Sequence, residues 1–106
     1  MDKVDVSIIK YLGKVQNGII ALITVTLKQL ELTFDSTFFY TDKDMILTIP
    51  EDIEKKIGDI KQLPEYPDIL KLCLKRVVPY SELYDNIDPL DVKPYLKAIF
   101  PDEKFD

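Results

Sequence analysis

One apolar-rich run, Ile19–Phe34 (IIALITVTLKQLELTF), constrains the fold more than any other part of the chain. Its first alternating set of residues stays apolar from Ile19 to Leu27, whereas the second set becomes polar after Leu22. Because side chains alternate between the two faces of a strand, the run predicts a strand with one buried face and one face that becomes exposed along its length. Its β-branched residues also favour a strand.

A helix is the competing interpretation, because apolar residues also recur every three or four positions through residues 8–30. Gly13 and the Asn17-Gly18 pair would weaken such a helix, and Asn-Gly is a strong hairpin signal. The sequence therefore favours a hairpin whose second strand, from Ile19, is the central strand of a sheet. It leaves open whether part of this region is helical.

The first fifty residues predict an antiparallel β-meander of four or five strands, at about residues 3–49. The run must break between Lys28 and Ser36, because one strand from Ile19 to Tyr40 would be far longer than usual. We expect the turn at Asp35-Ser36, with a bend or bulge at the LKQ segment (residues 27–29) as the alternative, followed by short strands at Thr37–Thr41 and Met45–Ile49. Three or four helices are expected after Pro50. Strands followed by helices indicate an α+β domain, and we expect the helices to pack on one face of the sheet.

Prolines set the predicted helix boundaries. A first helix begins after Pro50, where proline and acidic residues favour a helix start. A second, largely apolar helix begins at Asp68 and ends at Pro79. A last helix covers Leu90–Phe100, with Pro94 confined to its first turn because an interior proline breaks the hydrogen-bond ladder.

The composition is typical of an ordinary soluble globular chain. The 106 residues are 46% hydrophobic and 31% charged, and a chain of this length forms a single core. We expect one domain over residues 1–106, with residues 101–106 as a frayed tail. The first residues, MDKVDV, lack the basic start and apolar block of a signal peptide, and one cysteine cannot form an internal disulfide. These observations predict a cytoplasmic protein.

The charge balance argues against nucleic acids and membranes as partners. The formal net charge is −5, so the phosphate backbone of a nucleic acid would be repelled overall. Lys28, Gln29 and Glu31 interrupt the apolar run, which is therefore too short to span a bilayer. We expect neither a nucleic acid nor a membrane among the partners.

The residue types present exclude or fail to support most catalytic chemistries. The chain has no histidine, which excludes catalytic triads and histidine-metal sites. Cys73 lies between two leucines and is interpreted as a buried core residue. Asp42 and Asp44 could bind a hard cation, but turn formation is the simpler interpretation because the other ligands of a calcium loop are missing. We predict no catalytic, metal-binding or cofactor-binding residues. The sequence favours a non-enzyme over an enzyme and leaves the question open.

The segment between Val77 and Val92 is the strongest candidate for partner binding. It contains four acidic residues and no lysine or arginine. Tyrosine is enriched at binding hot spots, and an acidic field attracts a basic partner. The competing interpretation is that acidic residues here form helix caps and turns. The predicted partner-binding residues are Tyr80, Glu82, Tyr84, Asp85, Asp88 and Asp91.

Three classes of function are compatible with the sequence. The first is a small acidic protein-interaction module, such as an inhibitor, an immunity-type protein, a phage accessory protein or an assembly subunit, with a protein partner of basic character. The second is a small-molecule binder or carboxylate-dependent enzyme with a pocket between the sheet and the helices. The third is a self-associating structural protein, such as a homodimer that pairs a strand edge or an exposed sheet face. The first class accounts best for the acidic segment and the missing catalytic residues.

Overall fold

A computed structural model describes residues 3–15, 18–41, 43–83 and 89–100 of the chain. Within these residues, an antiparallel sheet of four strands in chain order is followed by three α-helices. The strands are β1 (Val4–Val15), β2 (Gly18–Leu27), β3 (Leu32–Tyr40) and β4 (Met45–Leu47), and the helices are α1 (Glu51–Ile57), α2 (Tyr66–Leu83) and α3 (Pro89–Ile99). The predicted α+β class and β-meander are confirmed.

The inner face of the sheet, defined as the face covered by α2, carries the larger hydrophobic core. The first alternating set of β2 lies on this face, and every member is 9% exposed or less. These residues belong to one cluster with Ile69, Cys73 and Val77 of α2, each of which is 0% exposed. The set consists of Ile19, Ala21, Ile23, Val25 and Leu27. The apolar set of the run is therefore buried, as its alternation predicted, and α2 is the helix that covers it.

The outer face, on the other side of the sheet, carries a second and smaller core. Ile20 and Phe39 are directly opposite each other in the register of β2 and β3, and both are buried against α3. The helices are thus divided between the two faces, whereas the sequence led us to expect all of them on one face. The physical reason is that the second alternating set of β2, on the outer face, begins with the apolar residues Ile20 and Leu22. These side chains must be shielded from water, and α3 packs over them.

The turn between β2 and β3 lies earlier than the sequence predicted. A short 3-10 helix, Lys28–Leu30, connects the strands, and Glu31 adopts a left-handed conformation with φ of 51°. The turn expected at Asp35-Ser36 is wrong, because both residues lie inside β3. Asp35 accepts a hydrogen bond from the Thr24 hydroxyl of β2 over 3.0 Å, and Ser36 is buried. Cross-strand pairing therefore prevails over the turn preference of these residue types.

Two prolines lie in helix interiors, although Pro79 was expected to end its helix and Pro94 to lie in the first turn of the last helix. α2 continues through Pro79 to Leu83, and Pro94 is well inside α3, which begins at Pro89. Pro79 is exposed, so its ring faces solvent, while the Ser81 hydroxyl donates to the Val78 carbonyl over 2.7 Å. Burial on the opposite side of α2 compensates for the hydrogen bond that proline cannot donate. None of the helices in the described ranges is long and apolar enough to cross a membrane.

β1 forms one edge of the sheet and contains two irregularities. Its register with β2 shifts between Ile8 and Lys10 and again between Tyr11 and Gly13. Ile9, the extra residue of the first bulge, is 52% exposed. Ile9 follows the inward-facing Ile8, so the alternation of the strand directs its side chain to the outer face. The bulge brings Lys10 to the same face, opposite Leu22.

Arg76 of α2 reaches over this edge. Its Nε–H donates to the Val6 carbonyl over 3.2 Å, and a guanidinium nitrogen lies 3.8 Å from the carboxylate of Asp5. The Lys28 N–H donates to the Lys3 carbonyl, which therefore points toward β2. Successive carbonyls of an edge strand point alternately toward the neighbouring strand and away from it. The Val6 carbonyl therefore points away from β2. Arg76 links α2 to the outward side of the edge strand.

Candidate functional site

Of the predicted partner-binding residues, the three that the structure describes are divided between α2 and α3, on opposite faces of the sheet. Tyr80 and Glu82 are exposed near the end of α2, and the Tyr80 ring centroid lies 6.2 Å from that of Tyr11 on β1. Asp91 belongs to α3, although its side chain is outside the described part of the chain. Tyr84, Asp85 and Asp88 also lie outside the described residues. Tyr80 and Glu82 are both exposed in the last part of α2, but residues two positions apart on a helix do not share a face.

Asp44 forms a turn at the β3–β4 connection. Its carboxylate accepts a hydrogen bond from the Met45 N–H over 2.8 Å, and its own N–H donates to the Thr41 hydroxyl over 3.1 Å. Asp42, the other half of the considered pair, lies outside the described residues. In the part of the chain that is described, no group of three or more cysteine or acidic side chains is arranged to hold a metal ion.

Cys73 is completely buried in the inner core, with 0% of its surface exposed. Burial raises the pKa of its thiol from 9.0 to about 12, so the thiol is protonated and unreactive at neutral pH. The interpretation of Cys73 as a core residue is confirmed.

Alkaline pH is expected to destabilise the fold through Cys73. Below pH 9 both states hold the thiol proton, whereas between pH 9 and about 12 the unfolded chain releases it and the folded chain keeps it. The free energy of unfolding should therefore fall by about 1.4 kcal/mol more between pH 8 and pH 10 in the wild type than in Cys73→Ala. Urea unfolding at the two pH values measures this difference. Equal losses in the two proteins would contradict it.

A groove lies on the outer face beside α3 and is a candidate binding site. Its volume is about 540 Å³ and its lining is mostly apolar. We call it the outer-face groove. It is lined by Ile9, Leu22, Asp35, Ser36, Thr37, Thr48, Ile49, Pro50, Tyr95 and Ala98. Three strands, the segment after β4 and one helix therefore contribute to a single depression.

Hydrogen bonds fix one wall of the outer-face groove. The Thr37 N–H donates to the Thr48 hydroxyl over 3.1 Å, and the Thr48 N–H donates to the Thr37 carbonyl over 3.0 Å. The hydroxyl of the buried Ser36 also donates to the Thr48 carbonyl. Three bonds thus hold the segment that follows β4 against β3, so this wall is formed before any ligand arrives.

Beyond the groove, the outer face is polar. Thr24 is opposite Asp35 in the strand register, and Thr26 is opposite Thr33. Their side chains form cross-strand hydrogen bonds, with 3.0 Å between the Thr24 and Asp35 oxygens and 3.3 Å between the two threonine hydroxyls. The apolar groove is therefore bordered on one side by hydroxyl groups, and Asp35 belongs both to this polar row and to the groove lining.

A second depression of about 540 Å³ lies beside β4. Burial, followed by the nearby carboxylates of Asp44 and Asp59, raises the pKa of Tyr66 above its ordinary value of 10.0. Lys43 and Lys61 also line this depression, so charges of both signs are present. This mixture does not favour one class of ligand.

No model of a known protein family matches the chain, and no similar curated protein or solved structure was found. The candidate site therefore depends on geometry and chemistry alone. Sequence reasoning missed the outer-face groove because it assigned every helix to the inner face. The signal that could have indicated it is the apolar start of the second β2 set, Ile20 and Leu22, together with Phe39.

Proposed function

We propose that this chain is a small protein-interaction module that binds another protein through the outer face of its sheet. The observation that carries the proposal is the incomplete cover of this face. α3 has 11 residues and packs over one end, which leaves the outer-face groove beside it. A groove with a preformed wall is a favourable place for a partner, because little ordering is required on binding.

The surface around the groove has the composition of an interaction site. Protein interfaces combine an apolar centre with a polar rim. Here Ile9 and Leu22 belong to the apolar centre, while Thr24, Thr26 and Thr33 supply hydroxyl groups on the adjoining rows of the same face. Ile9 is 52% exposed, and burial of this side chain by a partner would provide hydrophobic stabilisation.

The acidic segment is proposed as a second contact region. Tyr80 is 41% exposed near the end of α2, and Glu82, in the last turn of the same helix, is also exposed. The remaining proposed residues are Tyr84, Asp85, Asp88 and Asp91. An acidic region attracts a basic partner over a distance and increases its association rate more than its final affinity.

A small-molecule ligand is the second candidate, and the same groove favours it. Thr37, Thr48 and Asp35 line the groove together with apolar side chains, and ligand sites combine a few polar groups with an apolar lining in the same way. Small ligands are normally buried over about 70–90% of their surface. The outer-face groove is broadly open to solvent, which suits an extended segment of a partner chain better than an enclosed small molecule.

Replacement of Ile9 by glutamate tests the proposal, because a charge would be placed in the proposed apolar centre. The immobilised wild type is expected to capture a specific protein from an extract of its source cells, and Ile9→Glu should weaken that capture at least tenfold. Leu30→Glu is a matched control, since Leu30 is also 52% exposed but lies in the β2–β3 turn. Circular dichroism checks that both variants are folded.

The two variants distinguish specific binding in the outer-face groove from non-specific hydrophobic adsorption. Capture that is unchanged in Ile9→Glu would contradict the proposed surface. Equal losses in Ile9→Glu and Leu30→Glu would indicate non-specific adsorption and would also contradict it. The absence of any specifically retained protein would count against an interaction module.

A further inference from the structure

The apolar part of the outer-face groove can accept one aliphatic or aromatic side chain of a partner. Strands, the segment after β4 and α3 surround it on different sides. Its apolar lining consists of Ile9, Leu22, Ile49, Pro50 and Ala98, together with the Tyr95 ring. An anchor side chain in this position would contact several elements at once, as anchors at interface centres do.

A carboxylate lies within the same lining. Asp35 is exposed, and its Oδ1 accepts a hydrogen bond from the Thr24 hydroxyl over 3.0 Å. A carboxylate offers about four acceptor positions, so this bond leaves capacity for a donor from a partner. The bond to Thr24 also fixes the carboxylate on the sheet, which reduces the entropy lost when a cation binds.

The charges around the groove are unevenly distributed. Asp35 is the one acidic or basic residue among the described residues that line it, and it belongs to β3. Lys10 is the register partner of Leu22 and places a cation on the β1 side. A positive group is therefore favoured on the β3 side of the groove, beside Asp35.

We infer that the partner segment presents an apolar side chain directly beside a lysine or arginine, with the apolar side chain in the groove and the cation on Asp35. This inference rests on the proposed function and specifies the partner of the same surface. The basic character of the partner is thus linked to one carboxylate of the sheet as well as to the overall charge of the chain.

Three blocked dipeptides test the inference in titrations of the ¹⁵N-labelled protein followed by NMR. The probes are acetyl-Leu-Lys-amide, acetyl-Leu-Gln-amide and acetyl-Leu-Glu-amide, which share the apolar side chain and differ in charge. Amide signals of Leu22, Asp35 and Thr37 should shift most. The lysyl peptide should bind about two- to fivefold more tightly than the glutaminyl peptide, as expected for an exposed ion pair, and the glutamyl peptide should bind most weakly.

Asp35→Asn keeps the size of the side chain and an oxygen for Thr24 but removes the charge. It should abolish the difference between the lysyl and glutaminyl peptides, while Asp68→Asn, on α2, should preserve it. Equal binding of all three peptides to the groove of the wild type would overturn the partner chemistry and leave the proposed interaction surface standing. Shifts confined to residues outside the groove, or no shifts at all, would overturn the inference, and the capture experiment with Ile9→Glu would then judge the proposed function separately.

Discussion

Phe38→Ala is expected to lower the free energy of unfolding by about 3–5 kcal/mol, the range for removal of a buried aromatic ring. Phe38 is 0% exposed on the inner face and is paired in strand register with Ala21 on one side and Leu47 on the other. Alanine would leave a cavity between three strands and α2. Because the chain has no tryptophan, urea unfolding is best followed by circular dichroism.

The neighbouring residue offers a matched comparison for Phe38→Ala. Phe39 is 3% exposed and packs in the outer core, with its ring centroid 5.3 Å from that of Phe100. Phe39→Ala should cost less, because one short helix covers this core and can move to fill the space. Leu30→Ala, at a 52% exposed position, should change stability by no more than about 0.5 kcal/mol. A Phe38→Ala effect as small as that of Leu30→Ala would contradict the assignment of the main core to the inner face.

Gly18→Ala is expected to destabilise the fold by about 3 kcal/mol, at the upper end of the range for overpacking. A Cβ at this position would lie 2.6 Å from Cζ of Phe39, 2.7 Å from the Tyr40 carbonyl oxygen and 2.8 Å from Cγ2 of Thr41. Side chains can rotate away, but the carbonyl belongs to the backbone of β3. Relief of the clash therefore requires the central strands to separate at this end.

Gly58→Ala is the control, because a side chain at this position would strain the backbone conformation without clashing with a neighbouring atom. No atom lies within 4 Å of the added Cβ, but the backbone has a φ of 74° and a ψ of −153°, a region essentially restricted to glycine that costs about 1–3 kcal/mol for an L-residue. Thermal or urea unfolding of the two variants should rank Gly18→Ala as the more harmful. The reverse order would show that β2 and β3 approach less closely at Gly18 than described.

The main parts of the fold were predictable from the sequence because local patterns determine them. The alternation from Ile19 to Leu27 identified β2 and its buried face, and Pro50 marked the change from strands to helices. The turn at Lys28–Leu30 was not predictable from turn residues alone, since Asp35 and Ser36 have the stronger turn preference. Their cross-strand hydrogen bonds, which depend on strands distant in sequence, decide the outcome.

The candidate site was less predictable than the fold. The change from Leu22 to Thr24 and Thr26 in β2 indicates where the cover of the outer face ends, but the pattern does not say which segment provides the cover. The position of α3 depends on contacts with Ile20 and Phe39 across the sheet. The outer-face groove is a consequence of that position, and no local motif encodes it. Composition favoured the acidic segment because charge is visible in the sequence, whereas concavity is not.

The contact between Arg76 and the Val6 carbonyl has a consequence for the behaviour of the protein at high concentration. An outward-facing carbonyl on an edge strand is a template on which a strand from another molecule can add, and this is how sheets grow into aggregates. The guanidinium occupies that acceptor, and the bulges along β1 interrupt the straight ladder that an added strand would need. Arg76 of α2 therefore helps to protect β1, the longest strand of the sheet, against edge-to-edge assembly. This residue is distant in sequence from the strand that it protects.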